Sequence, residues 1–231
     1  MSCMEAEYTS LRLAELVTQK SASCFDFAAL CDMHYYIFQD VYDWAGKIRI
    51  INIEKSEPAL GGVSIEYSDC FDIERDVNSI LQEMNQYLWE TENLETVAKV
   101  FSSYLAQLWK VHPYREGNTR TIVTFCSQFI ESRGFYIDSD LFKDNAQYMR
   151  TALVAASAVF SDLGDRRKPE YLEHIVLDAL ERGNEMKNRV IAVIREAGYT
   201  ATEDVIRELV YWNRLEQYEH NADEIKSKIN V

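Results

Sequence analysis

The sequence predicts a mainly α-helical protein with one short β-hairpin and additional helices towards its C-terminal end. Apolar residues recur at three- and four-residue steps along most of the chain, and only 3 prolines interrupt its 231 residues. Such steps place side chains on one face of a helix, where they can pack against a core. One β-branched segment followed by turn residues predicts the hairpin.

Five apolar stripes predict five helices. They lie within residues 27–41, 73–88, 97–109, 122–130 and 172–180. We predict the hairpin, called the flap below, at residues 47–65, where Pro58 and the pair Gly61-Gly62 supply the turn, and a plain surface loop is the alternative. Gly198 ends one further helix, and the capping box from Thr200 to Glu203 opens another. We therefore expect a main domain over 1–185, with its core at about 25–180, and a C-terminal helical extension over 186–231, which either caps the same core or forms a small appendage.

Charge and composition exclude several classes of protein. A net charge of −14 argues against nucleic-acid binding, since contacts with phosphates need a basic face. We expect neither a signal peptide nor a membrane span, because the sequence shows no basic start before an apolar run and no long apolar stretch. The 5 cysteines show no CxxC spacing. Reduced thiols in a cytoplasmic protein fit this pattern better than disulfides or a zinc site.

Residues 111–121, between the third and fourth stripes, combine the groups that a phosphate site with a nearby base needs. Gly117 allows close backbone approach, and Asn118 is a good N-cap for the next helix, whose free N–H groups suit phosphate. Arg120 lies at the helix end that disfavours cations, which predicts that it grips phosphate oxygens. Glu116 is a hard carboxylate for Mg²⁺, and His112 can accept a proton near neutral pH.

These residues resemble the motif of the Fic family, HxFx(D/E)GNxR. His112, Glu116, Gly117, Asn118 and Arg120 match it, while Tyr114 replaces the usual Phe. Residues 34–49 are similar to the family's helix-to-flap segment, and residues 142–153 to the helix that follows the active helix. The resemblance covers roughly residues 25–180 in the right order. It implies a Fic-type helical bundle with a hairpin flap.

The resemblance also implies an activity, namely transfer of AMP from ATP to a Tyr, Thr or Ser hydroxyl of a target protein. It gives His112 the role of general base and Glu116 that of the Mg²⁺ ligand. The phosphates would then lie against Gly117, Asn118, Thr119 and Arg120, with Asn118 and Arg120 also stabilising the charge that develops during transfer. The flap residues Ile51, Asn52, Ile53 and Lys55 would bind an extended segment of the target, and Lys55 could instead approach ATP or be a solvated lysine.

Two departures from the family pattern concern regulation. Thr119 stands where a second Gly is frequent, and Val123 replaces an Arg that often holds the γ-phosphate and pairs with an inhibitory Glu. No clean copy of the inhibitory (S/T)xxxE(G/N) helix is found, and Glu185 is the nearest candidate. The alternatives are control by a separate antitoxin, a homo-oligomer or self-modification, so a toxin–antitoxin-like role is one expectation.

Three alternative functions stay open on the sequence. A Doc-like protein kinase would transfer the γ-phosphate, although such relatives usually carry Lys at the position of Thr119. An enzyme that removes AMP would use the same fold. A non-catalytic protein-binding module would keep the flap, but the retention of His112 and Glu116 argues against it.

Overall fold

The computed structural model describes residues 3–18, 24–89 and 93–214. Within these ranges the main-chain elements are nine α-helices, a short 3₁₀ turn at Pro58–Leu60 and two short strands. The helices are α1 Cys3–Thr18, α2 Phe27–Phe38, α3 Ile73–Gln86, α4 Leu94–Val111, α5 Asn118–Ser132, α6 Asp140–Asp144, α7 Ala146–Ala156, α8 Glu170–Glu196 and α9 Glu203–Arg214, and the strands are β1 Val159–Phe160 and β2 Gly164–Asp165. The predicted mainly α-helical class is confirmed.

Helix α4 runs through the centre of the bundle and contacts α3, α5, α7 and α8. The Asn93 side chain begins it by accepting the backbone N–H of Thr96 at 2.8 Å, which satisfies one of the free donors of the first turn. Its buried face includes Phe101, Leu105 and Trp109, as the stripe of apolar residues predicts. The last turn of α4 therefore lies inside the core, and the candidate site follows directly from it.

Helix α2 supports the same region from the other side and contacts α1, α3 and α5. Asp26 caps its N-terminus by accepting the backbone N–H of Ala29 at 2.8 Å. His34 and Phe38 are fully buried on the face of α2 that points towards residues 114–117. This packing holds the loop between α4 and α5 against a rigid helix.

The predicted hairpin does not lie where we expected it. Residues 47–65, all described, contain no β-strand, and they reverse direction at the 3₁₀ turn, where the Gly62 N–H donates to the carbonyl of Glu57. Hydrogen bonds from side chains hold this segment instead of the backbone bonds of a strand pair. Ser64 Oγ accepts the Lys55 N–H, and the buried Glu57 carboxylate binds Arg150 Nη2 at 2.8 Å. The antiparallel strand pair in the described residues is β1 with β2, in the register Val159 to Asp165.

The C-terminal helices continue from the main bundle without a break. Helix α8 spans 27 residues and crosses the position of the predicted boundary at 185–186. It passes very close to residues 136–137, since a Cβ on Gly183 would lie 2.4 Å from the Tyr136 carbonyl oxygen. Helix α9 contacts α8, and the Tyr211 hydroxyl donates to the Glu131 carboxylate at the end of α5. The division at 185–186 stays a prediction.

Two further expectations concern the described residues alone. None of their helices combines the length and apolar character needed to cross a lipid bilayer. The cysteines whose side chains are described, Cys24, Cys31, Cys70 and Cys126, are free thiols.

Candidate active site

The segment from His112 to Gly117 joins the C-terminus of α4 to the N-terminus of α5. His112 ends α4 with a left-handed backbone (φ 52°), and Gly117 is the N-cap of α5 with φ 83°. A Cβ on Gly117 would lie 2.4 Å from two ring atoms of Phe38, so both its backbone angle and its packing require glycine. The first N–H groups of α5 have no intrahelical acceptor and thus remain available to an anion.

Asn118 closes this loop. It is the first residue of α5, so our expectation that it would be the N-cap is wrong by one position, because Gly117 supplies the left-handed turn. Its buried side chain accepts the Tyr114 N–H at 2.9 Å and donates to the Tyr114 carbonyl at 2.7 Å. The two bonds tie the start of the helix to the middle of the loop.

His112 is held as a neutral base. Its ring is buried, and Nδ1 lies 3.3 Å from the carbonyl oxygen of Trp109, which makes Nδ1 the protonated nitrogen. In the described part of the chain nothing hydrogen-bonds to the buried Nε2. Burial, followed by the positive charge of Lys55, lowers the pKa of His112 well below its usual 6.5. Nε2 therefore carries a lone pair that can accept a proton.

Two aromatic residues fix the plane of this imidazole. The Tyr67 ring lies 4.2 Å from it, centroid to centroid, and the buried Trp109 ring packs edge-on at 5.2 Å. The Trp109 indole N–H donates to Thr119 Oγ1 at 2.9 Å, which places the Thr119 hydroxyl towards the interior of the protein. Thr119 thus anchors Trp109, whose backbone carbonyl orients the His112 ring.

Glu116 and Lys55 face each other across the site. Lys55 Nζ lies 3.4 Å from both carboxylate oxygens of Glu116, whose side chain is 61% exposed. The Glu116 backbone is held by buried His34, whose Nε2 lies 3.1 Å from the Glu116 carbonyl oxygen. His34 Nδ1 accepts the Gly46 N–H. His34 is therefore a buried residue that supports the loop.

The surroundings of Glu116 suit one mode of Mg²⁺ binding. Within the described residues no three His, Cys, Asp or Glu side chains form a metal-binding group. Mg²⁺ in nucleotide sites is commonly held by one or two carboxylates together with substrate phosphates. A single exposed carboxylate beside the N-terminus of α5 fits this mode, and it would have to exchange Lys55 for the cation.

Arg120 is engaged by the N-terminal helix. Its Nη2 lies 2.8 Å from the Glu5 carboxylate, its Nη1 donates to Thr9 Oγ1 at 2.8 Å, and its guanidinium lies 4.6 Å from the centre of the Phe38 ring. The hydrogen bond from Arg120 lowers the pKa of Glu5. Sequence reasoning missed Glu5 and Thr9, because they stand in the reverse order of the searched motif, with Glu four residues before Thr.

The flap residues lie at the mouth of the site. Ile51 is 62% exposed, Asn52 is exposed, and Ile53 is half-buried. Asn52 shapes the base of this segment, because its amide donates to Asp69 and its Oδ1 accepts the Cys70 N–H. Sequence reasoning also missed Arg49, which lies buried beneath these residues.

Val123 and Glu185, which the sequence analysis links to regulation, lie apart from the site. Val123 is half-buried on α5 and packs against the core. Glu185 is exposed on α8, and its carboxylate lies 3.9 Å from Arg189. The structure thus brings Glu5, not Glu185, to an arginine of the motif.

The matching family is described as the Fic/DOC family, and its model covers residues 24–130. Residues 24–130 of this chain are thus similar to members of that family. A probable protein adenylyltransferase, y4lH, from Sinorhizobium fredii is 38% identical over 115 residues, which are 49% of this chain and 56% of that protein. A protein adenylyltransferase from Bartonella henselae is 24% identical over 211 residues, 84% of this chain and 39% of the relative. The chain therefore spans about half or less of these relatives.

Solved structures of Fic domains share the fold. The N-terminal Fic domain of a putative cell filamentation protein from Bartonella quintana has a TM-score of 0.61 at 20% identity, and the match covers 76% of this chain and 80% of that one. The BepC protein of Bartonella tribocorum, whose structure contains bound AMPPNP, has a TM-score of 0.60 at 16% identity, covering 76% and 84%. The predicted Fic-type bundle is confirmed.

Proposed function

We propose that this protein transfers AMP from ATP to a Tyr, Thr or Ser hydroxyl of a target protein. The observation that carries the proposal is the state of His112, a buried neutral imidazole whose Nε2 has no partner in the described residues. It stands one short loop before a helix N-terminus that suits phosphate. The curated relatives named as protein adenylyltransferases support the same reaction.

The chemistry follows from these positions. Nε2 of His112 takes the proton of the target hydroxyl, whose oxygen forms a bond to the α-phosphorus of ATP. The bond between that phosphorus and the β-phosphate oxygen breaks, and pyrophosphate leaves. Gly117 and the first N–H groups of α5 hold the phosphate oxygens and oppose the developing charge.

Two charged side chains of the site would complete the binding of ATP. Glu116 would hold Mg²⁺ against the phosphates, where the ion supplies charge neutralisation. Arg120 would contact phosphate oxygens after exchanging Glu5 for them. Thr119, with its hydroxyl bound to Trp109, would contribute its backbone N–H instead of its side chain. Asn118 likewise shapes the loop through Tyr114.

The flap would bind the target as an added strand. Among the described residues, 52–54 take no part in a strand pair, so their backbone N–H and C=O groups would be able to pair with another chain, whereas the Ile51 carbonyl accepts from Arg49. Exposed Ile51, Asn52 and Ile53 would contact the target's side chains. Lys55 would leave Glu116 when Mg²⁺ binds and then approach either ATP or the target. A cytoplasmic setting, which supplies ATP, agrees with the free thiols.

Incubation with Mg²⁺ and ATP labelled in turn on the α- and the γ-phosphate tests this function. We expect transfer of the α-label to a target in a cell extract, or to the chain itself, with pyrophosphate released. The same reaction with His112→Ala should show no transfer. Mass spectrometry of the product should show an added AMP group. Transfer of the γ-label would indicate a kinase, and equal labelling by the His112→Ala variant would refute the role of His112.

A further inference from the structure

Arg49 is a fully buried cation that binds only carbonyl and amide oxygens. No carboxylate in the described residues lies within ion-pair distance of its guanidinium, whereas an unpaired buried charge costs several kcal/mol unless hydrogen bonds compensate it. All three of its nitrogen atoms donate. The acceptors are the carbonyls of His112 (2.9 Å, from Nε), Ile51 (2.9 Å, from Nη1), Val111 (3.3 Å, from Nη2) and Ser68 (from Nη2), and Asn52 Oδ1 (3.3 Å, from Nη1).

These acceptors belong to three separate stretches of backbone. Ile51 and Asn52 lie in the exposed part of the flap, and Ser68 lies where the chain returns towards α3. Val111 and His112 form the end of α4. The planar guanidinium can meet acceptors in several fixed directions at once, which an ammonium group cannot do. Arg49 therefore joins both limbs of the loop between α2 and α3 to the end of α4.

The backbone that Arg49 holds is an unusual one. Among the described non-glycine residues His112 alone has a positive φ, a conformation that is unfavourable for an L-residue. Strain of this kind persists where the surroundings fix it. Arg49 fixes this backbone through two hydrogen bonds. Its Nε donates to the His112 carbonyl, and its backbone N–H donates to the Pro113 carbonyl at 2.8 Å.

We propose that Arg49 is a positioning residue for His112, and that its buried guanidinium holds the left-handed turn that directs the imidazole into the site. The proposal rests on the proposed role of His112 as the base. None of the hydrogen bonds of Arg49 reaches residues 114–120, so the nucleotide loop is held by other contacts, such as that of Asn118 with Tyr114. Arg49 should consequently affect proton abstraction and leave ATP binding almost unchanged.

The conservative variant Arg49→Lys tests this separation. Lysine keeps the charge but cannot span five acceptors, so we expect the turn at His112 to relax. Because a displacement of about 1 Å in a reacting group can cost about 10²-fold in rate, we expect the maximal rate of AMP transfer to fall by about 10²-fold. The KM for ATP should stay within about threefold of wild type. Arg49→Met, which also removes the charge, should transfer AMP more slowly still.

The matched control is Arg75→Lys, which changes an exposed arginine on α3 that pairs with Asp76. It should retain the wild-type rate. A wild-type maximal rate in Arg49→Lys would overturn the proposal. So would a parallel loss of rate, nucleotide affinity and cooperative unfolding, because that pattern describes a residue needed only for folding.

A spectroscopic measurement keeps the inference separate from the activity. In the protein with isotopically labelled histidines, His112→Ala identifies the imidazole signals of His112. We expect these signals to shift in Arg49→Lys, while those of His34, which is held by Gly46 and Glu116, stay in place. Unchanged His112 signals would refute the positioning role. If wild type and His112→Ala transfer AMP equally, the proposed function fails, and the spectra alone decide the role of Arg49.

Discussion

The contact between Glu5 and Arg120 should oppose nucleotide binding, because one guanidinium cannot serve a carboxylate and a phosphate equally well. In the variant Glu5→Gln the carboxylate becomes a neutral amide of the same shape. The side chains of Glu5 and Arg120 are only 14% and 25% exposed, so water screens their attraction less than that of a surface pair. A charge-assisted hydrogen bond of this kind contributes about 1–2 kcal/mol.

That energy converts directly into affinity. If ATP must displace Glu5 from Arg120, the variant should bind a non-hydrolysable ATP analogue with Mg²⁺ about 5- to 30-fold more tightly than wild type. Isothermal titration calorimetry at fixed ionic strength measures the change. Glu95→Gln is the matched control, since it removes one exposed carboxylate from the first turn of α4 and should leave the affinity within about twofold. Equal or weaker binding by Glu5→Gln would refute the competition.

Three further predictions concern the loop and its supports. Gly117→Ala should unfold at a lower temperature than wild type and bind the ATP analogue more weakly, because its Cβ would lie 2.4 Å from Phe38. Thr119→Val leaves the buried Trp109 N–H without its acceptor, which should cost about 1–3 kcal/mol and lower the melting temperature by about 2–10 °C. Burial lowers the pKa of His34 to about 4, so about 3 kcal/mol of the free energy of unfolding should be lost as pH falls from 6.5 to 4. Denaturant titrations at several pH values should show that the free energy of unfolding of His34→Gln depends less on pH than that of wild type.

Each of these predictions has its control. Gly61→Ala also meets a positive φ but has open space around the new Cβ, so it isolates the clash of Gly117→Ala from the backbone strain. Thr119→Ser keeps the hydroxyl and should unfold close to the wild-type temperature. His174→Gln changes an exposed histidine and should keep the wild-type pH slope. Equal behaviour of variant and control in any pair would contradict the stated cause.

The sequence was sufficient for features that depend on neighbouring residues. The apolar stripe at 97–109 predicted the buried face of α4, and the motif from His112 to Arg120 forms the loop between α4 and α5 together with the start of α5. Gly117 has the left-handed backbone that its place in the motif requires. Such features follow from periodicity and local backbone geometry, which a single sequence displays directly.

Contacts between distant residues could not be predicted in this way. Glu5 meets Arg120 across 115 positions, and only the packing of α1 on α2 brings them together. The acceptors of Arg49 are mostly backbone carbonyls, which every residue carries and which therefore leave no trace in the sequence. The alternation around residues 47–53 suggested a strand, but the burial of Glu57 against Arg150 favoured a turn held by side chains.

Helix α5 has consequences for any molecule that binds at the C-terminal helices. Its 15 residues form a rod about 22 Å long with the phosphate-facing N–H groups at one end. At the other end Glu131 accepts the hydroxyl of Tyr211 from α9. A protein or ligand that docks on α9 would therefore lie next to the C-terminal end of the helix whose first turn carries Arg120.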